Sequence, residues 1–261
     1  RIRLTPFKIH ESGTLAKTVN FFCQDISNKK LQKFGEDYFS RNYNHNSFIS
    51  RFRKSQVQGI AKFELKKYIK HKRIITYFST STDEFLSTQM EDVNKSDWTQ
   101  LDAINALVEI IKSMPDALLC IRVHPNLKNK NFSTKEFSKL AIDDKVIVFD
   151  SYSNVDSLDL IDLSDTIISW ESSLVEHSAY SKKKTILLND YYYKNLPLGF
   201  FARNKAELEK VLLNDDFNTD LSKQIAEKIA FFRCTEGIPI KYLRETNNGE
   251  IKLDNNVKIN Q

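Results

Sequence analysis

The sequence predicts an α/β fold in which helices cover both faces of a parallel sheet. From Arg73 to Leu188, short apolar segments alternate with segments of helical periodicity. Continuous apolar runs of about four to eight residues are typical of strands that are buried on both faces. The 261 residues, 41% of them hydrophobic and 28% charged, are enough for one large domain or two small ones.

We expect at least five parallel strands, joined by right-handed crossovers, in an order near 3-2-1-4-5. The helix after the first strand carries Leu101, Ile104, Leu107 and Ile111 on one stripe, and Ser96 is its predicted N-cap. The predicted strands lie at 73–78, 118–123, 146–149, 166–169 and 185–188. The predicted helices lie at 98–114, 134–141, 157–163, 173–180, 204–213 and 220–232. This arrangement is Rossmann-like.

Three regions are distinguished along the chain. Residues 1–71 are predicted to be mainly helical, with Phe34, Tyr38 and Phe39 on one face. Residues 72–245 are predicted to form the Rossmann-like domain. Residues 246–261 form a polar tail that we expect to be disordered. The chain begins with Arg1 rather than methionine, and no apolar signal segment follows. We therefore expect it to be a piece of a longer protein.

Charge and cysteine usage narrow the choice of partners. The net charge is +5, but no basic stripe interleaved with aromatic residues occurs, so we expect no nucleic acid partner. No apolar run is long enough for a membrane span. The basic run 54–72 permits peripheral contact with a membrane. Cys23, Cys120 and Cys234 have neither disulfide-framework nor zinc spacing, which favours a cytoplasmic protein, in contact with the inner membrane at most.

Ligands of open parallel sheets bind beyond the carboxyl ends of the strands. Polar side chains follow four consecutive predicted strands. No glycine occurs between Gly59 and Gly199, which excludes the GxGxxG fingerprint and the P-loop. A phosphate would then be held by hydroxyl groups at a helix N-terminus. The candidates are Ser79, Ser81, Asp83 and Glu84 after the first strand, Arg122, His124 and Pro125 at the second, Ser151 and Tyr152 after the third, and Ser172, Ser173 and Glu176 after the fourth.

Each candidate has a plainer structural interpretation. Ser172 and Ser173 suit a phosphate site, and equally a simple helix cap. His124 suits a phosphate donor or a base, or a loop histidine satisfied by its neighbours. Glu176 suits a ribose-binding carboxylate, or a first-turn glutamate favoured by the helix dipole. Arg122 suits donor binding or an ordinary edge charge.

The pair Asp83 and Glu84 could serve as acid and base, or cap a polar loop. The triple lysine at 182–184 suits either an exposed surface or contact with an anionic substrate. No motif for a bound metal occurs.

Three segments resemble the C-terminal half of GT-B glycosyltransferases, especially those of capsule and related surface polysaccharide synthesis. They are Ile121 to Pro125, similar to an "RxHP" segment; Val148 to Ser169; and Trp170 to Leu187, similar to the run ST-x-x-x-E-A-x-x-x-G-K-P-V-I. In the third segment His177 replaces a small residue, Ser181 stands near the usual glycine, and a lysine occupies the proline position.

The resemblance implies a metal-independent enzyme that transfers a sugar from a nucleotide-sugar donor to a bacterial surface polysaccharide or a lipid-linked acceptor. It implies that Ser172, Ser173 and His124 contact the donor phosphates and that Glu176 contacts the ribose. Residues 72–245 would be the nucleotide-sugar-binding domain, and residues 1–71 part of an acceptor-side domain or a linker. The nucleotide-sugar is a substrate, so no cofactor is expected. The alternatives are a non-catalytic nucleotide- or sugar-binding module of a larger assembly, and a nucleotide-sugar epimerase of the same fold.

Overall fold

The computed structural model describes residues 13–43, 55–68, 73–81, 98–127, 137, 139–140, 144–170, 172–189, 192–235, 243–245 and 251–253. The first helices are α1 (Thr14–Cys23), α2 (Asn28–Tyr43) and α3 (Ile60–Leu65), the last followed by a 3₁₀ turn at Lys66–Tyr68. Strands and helices then alternate: β1 (Arg73–Phe78), α4 (Gln100–Ser113), β2 (Ala117–Arg122), β3 (Val146–Phe149), α5 (Ser157–Leu163), β4 (Thr166–Ser169), α6 (Leu174–Tyr180), β5 (Lys184–Leu187) and β6 (Phe200–Phe201). The chain continues with α7 (Lys205–Leu213), α8 (Thr219–Thr235), β7 (Leu243–Glu245) and β8 (Ile251–Leu253).

Six parallel strands form one sheet in the order β3-β2-β1-β4-β5-β6. The predicted order of the first five strands and the predicted α/β class are confirmed. The sixth strand contains only two residues, Phe200 and Phe201, and pairs with Ile186 and Leu187 of β5.

Apolar clusters cover both faces of the sheet. On one face, Ile75, Ile121 and Ile168 pack beneath α4 and α7. On the other, Phe78 and Cys120 pack beneath α3 and α5. Because alternate residues of a strand point to opposite faces, a strand buried on both sides must be apolar at nearly every position. This explains the continuous apolar runs.

Helix α4 begins at a different cap from the predicted one. Thr99 is the N-cap: its hydroxyl accepts a hydrogen bond from the Asp102 backbone, and the Asp102 carboxylate accepts one from the Thr99 backbone. This capping box satisfies two N–H groups that the first turn leaves without helical partners. The prediction of Ser96 was therefore wrong, and the helix starts at Gln100.

The amino-terminal helices share a hydrophobic cluster with the end of the chain. Val19 of α1 and Phe39 of α2 lie in one cluster with Ile229 of α8. Phe34 and Tyr38 pack against it, so the predicted aromatic face of α2 is confirmed. The close approach of α2 to α8 occurs at Gly35, where a β-carbon would lie 2.8 Å from the Glu227 side chain.

The predicted helix at 134–141 lies largely outside the described residues. The prediction of a disordered tail was wrong for Ile251–Leu253, which pairs antiparallel with Leu243–Glu245.

Candidate functional site

The sheet order reverses between β1 and β4, and their carboxyl ends meet there. Phe78 of β1 pairs with Ser169 of β4 and with Arg122 of β2, so the loops after these three strands leave the sheet at one level. Open parallel sheets bind ligands in the crevice at such a point. The predicted residues that follow neighbouring strand ends on this edge are Ser79, His124, Ser151 and Ser172.

His124 is fixed by contacts on both its backbone and its ring. Its backbone N–H donates to the Ser79 hydroxyl at 2.9 Å, which ties the end of β2 to the end of β1. Its ring Nδ1 accepts from the backbone N–H of Asn126 at 3.2 Å, within the short 3₁₀ turn that begins at Pro125. A neutral imidazole that accepts at Nδ1 carries its proton on Nε2. The half-buried ring therefore holds Nε2 as a hydrogen-bond donor.

Gln100 braces the loop after β1, and sequence reasoning missed it. Its side-chain oxygen accepts from the Thr80 backbone at 2.8 Å and from the Tyr77 hydroxyl at 2.9 Å, while its amide donates to the Thr80 carbonyl at 3.3 Å. Ser79 and Ser81 beside it are almost fully buried. The only signal in the sequence was a polar residue at the first position of the helix that follows the loop.

Arg122 positions the loop after β3. Its side chain donates to the carbonyls of Asp150 at 2.6 Å and Ser153 at 3.1 Å, and the residue is 3% exposed. Burial lowers the pKa of Arg122 to about 10, although Asp150 and Asp156 raise it. The prediction that Arg122 binds the donor directly does not fit this geometry, because the guanidinium is buried against backbone carbonyls.

The loop that Arg122 holds presents Tyr152 at the edge of the sheet. The Asp150 carboxylate accepts from the backbone N–H groups of Tyr152 at 2.9 Å and Ser153 at 2.8 Å. Tyr152 is 58% exposed, so much of its side chain faces solvent. Ser151 is buried, and within the described ranges its hydroxyl has no hydrogen-bond partner; the same is true of Ser169.

Ser172 and Ser173 lie at the start of α6. The Ser172 hydroxyl accepts a long hydrogen bond of 3.3 Å from the Leu174 backbone. Ser173 is the N-cap residue, but its hydroxyl makes no cap hydrogen bond, and the residue is exposed. Simple capping therefore accounts for Ser172 in part and leaves the Ser173 side chain unexplained.

Glu176 faces away from solvent. It is 2% exposed, and its carboxylate accepts from the Arg233 Nε at 3.0 Å, from a second Arg233 nitrogen and from the Tyr193 hydroxyl at 3.0 Å. Burial alone would lower the pKa of Arg233, but the Glu176 charge raises it well above its usual value. The ribose role predicted for Glu176 does not fit this arrangement, because both carboxylate oxygens are occupied within the protein.

Asp83 and Glu84 lie outside the described residues. Lys183 and Lys184 donate to the carbonyls of Asp162 and Leu212, and Lys184 begins β5 at the opposite edge of the sheet. The described part of the chain contains no group of three or more His, Cys, Asp or Glu side chains that could hold a metal ion. None of its helices is long and apolar enough to cross a membrane.

Comparison with solved structures shows a GT-B-type fold. KpsC from Thermosulfurimonas dismutans, a β-Kdo 2,4 transferase, is 14% identical, with a TM-score of 0.52 over 86% of this chain and 64% of its own. UDP-GlcNAc 2-epimerase from Methanocaldococcus jannaschii is 14% identical, with a TM-score of 0.45 over 71% and 51%. MnaA from S. aureus, solved with UDP, is 15% identical, with a TM-score of 0.43 over 63% and 42%. The chain thus spans less than two thirds of the length of each of these structures.

Comparison by sequence adds no relative. No protein-family model matches the chain, and no curated protein matches it. The likeness to solved structures therefore shows the fold alone.

Proposed function

We propose that this chain is the donor-binding half of a glycosyltransferase, which transfers a sugar from a nucleotide-sugar to a bacterial surface polysaccharide or a lipid-linked acceptor without a bound metal. The GT-B-type fold supports this class of substrate. The acceptor, and contact of the protein with a membrane surface, are part of the same proposal. One fold can host many activities, and the residues of the site determine which of them a protein has.

The observation that carries the proposal is the fixed His124 ring at the point where the sheet order reverses. The backbone N–H of His124 donates to the Ser79 hydroxyl, and its Nδ1 accepts from the Asn126 backbone, so the ring is held in the tautomer that carries its proton on Nε2. A fixed N–H donor that needs no reorganisation stabilises charge that develops on a leaving phosphate. We assign His124 this role toward the donor diphosphate.

Ser172 and Ser173 complete the proposed phosphate contacts from the other side of β1. Neighbouring strands lie about 4.8 Å apart, so the ends of β2 and β4 are separated by roughly 10 Å across β1. An extended diphosphate with its attached sugar can reach both. The exposed Tyr152 ring, beyond β2 at the end of β3, is our candidate for stacking on the nucleobase.

Calorimetric titration of the chain with UDP-, GDP-, CMP- and CDP-linked sugars tests the proposal. We expect one nucleotide class to bind, and His124→Ala or Ser172→Ala to weaken that binding by about 10- to 150-fold, the effect of losing one charge-assisted hydrogen bond. Thermal stability should remain nearly unchanged in both variants. His124→Gln retains an N–H donor near the position of Nε2 and should recover part of the affinity.

Ser181→Ala is the matched control for Ser172→Ala, since Ser181 lies at the opposite end of α6. It should leave nucleotide binding intact. A Ser172→Ala variant that loses about 1 kcal/mol of stability and no affinity would show that the hydroxyl only caps the helix. If no nucleotide binds to the chain, the proposal fails and a non-catalytic module becomes the better interpretation.

A further inference from the structure

A cavity lies at the amino-terminal edge of the sheet, away from the proposed donor site. Its volume is about 410 Å³, within the range of small-molecule sites. Arg73, Thr166 and Lys184 line it from the first positions of β1, β4 and β5. The six residues of β1 place it about 16 Å from the carboxyl edge. It is therefore separate from the site described above.

Two cations face this cavity side by side. Lys184 donates from Nζ to the carbonyls of Leu212 and Asn214, and Arg73 donates to the same Leu212 carbonyl at 2.7 Å. Only 10% of the Lys184 side chain is exposed. Burial, and then the neighbouring Arg73 charge, lower the pKa of Lys184. The guanidinium of Arg73 has five N–H groups, and within the described part of the chain one of them donates a hydrogen bond, to the Leu212 carbonyl.

The anion nearest to both cations is weakly held. The Asp215 carboxylate lies 3.6 Å from Arg73 and 3.7 Å from Lys184, beyond the usual length of a charge-assisted hydrogen bond. Its side chain is 86% exposed, so solvent screens the attraction. A ligand anion with better geometry can therefore replace Asp215 beside the two cations.

The rest of the lining suits a polyhydroxylated ring. The polar residues Asp165, Thr166 and Thr219 also line it, and the half-buried Phe217 provides an apolar surface. One oxygen of the Asp165 carboxylate accepts from the Ile74 backbone at 2.8 Å. The Phe217 ring packs against Phe200, with their centroids 5.1 Å apart, so its position is fixed. An apolar wall with a few convergent polar groups is typical of small-ligand sites.

We infer that this cavity binds an acidic sugar, with its carboxylate or phosphate between Arg73 and Lys184 and its ring against Phe217. The anionic group takes the place of Asp215 and accepts hydrogen bonds from both cations. The sugar hydroxyls bind Asp165 and the two threonines. This site does not depend on the proposed donor function, because it shares no residue with the carboxyl edge.

Ligand-observed saturation-transfer NMR on the full chain tests the inference, with glucuronate, glucose 6-phosphate and neutral glucose as observed probes and inorganic phosphate as a competitor of the bound probe. We expect glucuronate or glucose 6-phosphate to bind, and glucose to bind at least tenfold more weakly. Comparison of the affinities for glucuronate and glucose 6-phosphate shows whether the site prefers a carboxylate or a phosphate. Arg73→Gln and Lys184→Gln should each lower the affinity about tenfold or more.

Asp215→Asn provides the sharper test, since it removes the competing anion and leaves both cations in place. It should raise the affinity for the acidic sugar by about two- to fivefold, the strength expected of an exposed ion pair, and leave glucose unaffected. The control is Lys205→Gln, which removes an exposed lysine paired with Glu109 and should change nothing.

Three outcomes overturn the inference. The first is that no acidic sugar binds, in which case Arg73 and Lys184 serve only to cap the carbonyls at the end of α7. The second is that inorganic phosphate binds as tightly as glucose 6-phosphate and glucuronate does not bind, which would indicate an adventitious ion only. The third is that Asp215→Asn weakens binding of the acidic sugar, which contradicts the proposed replacement of the carboxylate.

Discussion

The ion pair between Glu176 and Arg233 offers the most decisive perturbation, through Glu176→Gln and Arg233→Met. Removal of one partner from a buried pair leaves the other charge uncompensated, at a cost of about 3–5 kcal/mol. The two side chains are unequally buried, since Glu176 is 2% exposed and Arg233 is 22% exposed. Arg233→Met leaves the more deeply buried charge alone, so it should cost the upper end of that range and Glu176→Gln the lower end.

Urea and thermal denaturation measure these costs. In a chain of this size, about 1 kcal/mol corresponds to a Tm shift of roughly 2–4 °C, so the single variants should lose about 6–20 °C. The double variant removes both charges together and should be no less stable than Arg233→Met alone. The resulting double-mutant cycle isolates the coupling between the two residues.

A different pattern would refute the reasoning. If both single variants keep wild-type stability while Glu176→Gln loses nucleotide affinity, the carboxylate binds ribose and the pair with Arg233 does not form as described. Lys205→Met is the control, because it breaks an exposed pair with Glu109 and should change stability little.

Three further variants or conditions test the packing. Thr99→Ala removes the N-cap of α4 and should lower the free energy of unfolding by about 1 kcal/mol in urea titrations; an unchanged midpoint would contradict the capping box. Gly199→Ala would place a β-carbon 2.6 Å from the Thr185 carbonyl oxygen. We expect this variant to lose about 1–3 kcal/mol of the free energy of unfolding in urea titrations. An unchanged free energy of unfolding would mean that β6 is not packed as described. Burial raises the pKa of Tyr77 and Tyr193 well above 10, so the unfolded chain loses these protons before the folded one does. The contribution of these two tyrosines to the free energy of unfolding should be complete below about pH 10 and should decrease as the pH rises above it. The decrease should be smaller in Tyr193→Phe than in the wild-type chain.

The sequence was most informative where one local pattern decides the structure. Strands β1, β3 and β4 are short, mainly apolar runs, and their predicted ends agree with the observed ones. The strand order followed from general rules of crossover topology. The two-residue strand β6 was missed because Phe200 and Phe201 are too short to show a period.

The sequence was least informative where the partner of a side chain comes from a distant element. Glu176 meets Arg233 across 57 positions of the chain, and no local pattern predicts that pairing. Arg122 likewise meets the Asp150 carbonyl, 28 positions away. Both residues lie at strand or helix ends, where ligand contacts are common. Residue type and position therefore could not distinguish a role in ligand binding from a role in supporting the fold. Gln100 was missed because its partners are mainly backbone groups.

The shared cluster of α1, α2 and α8 bears on synthesis of the chain. About 175 residues separate the end of α2 from the start of α8. At roughly 5–20 residues per second, α2 leaves the ribosome about 10 to 35 s before the helix that covers its aromatic face. During that interval Phe34 and Phe39 have no α8 to pack against, and exposed apolar surface of this kind favours aggregation and chaperone binding. The sheet can assemble while translation continues, whereas burial of this face must wait until α8 has been made.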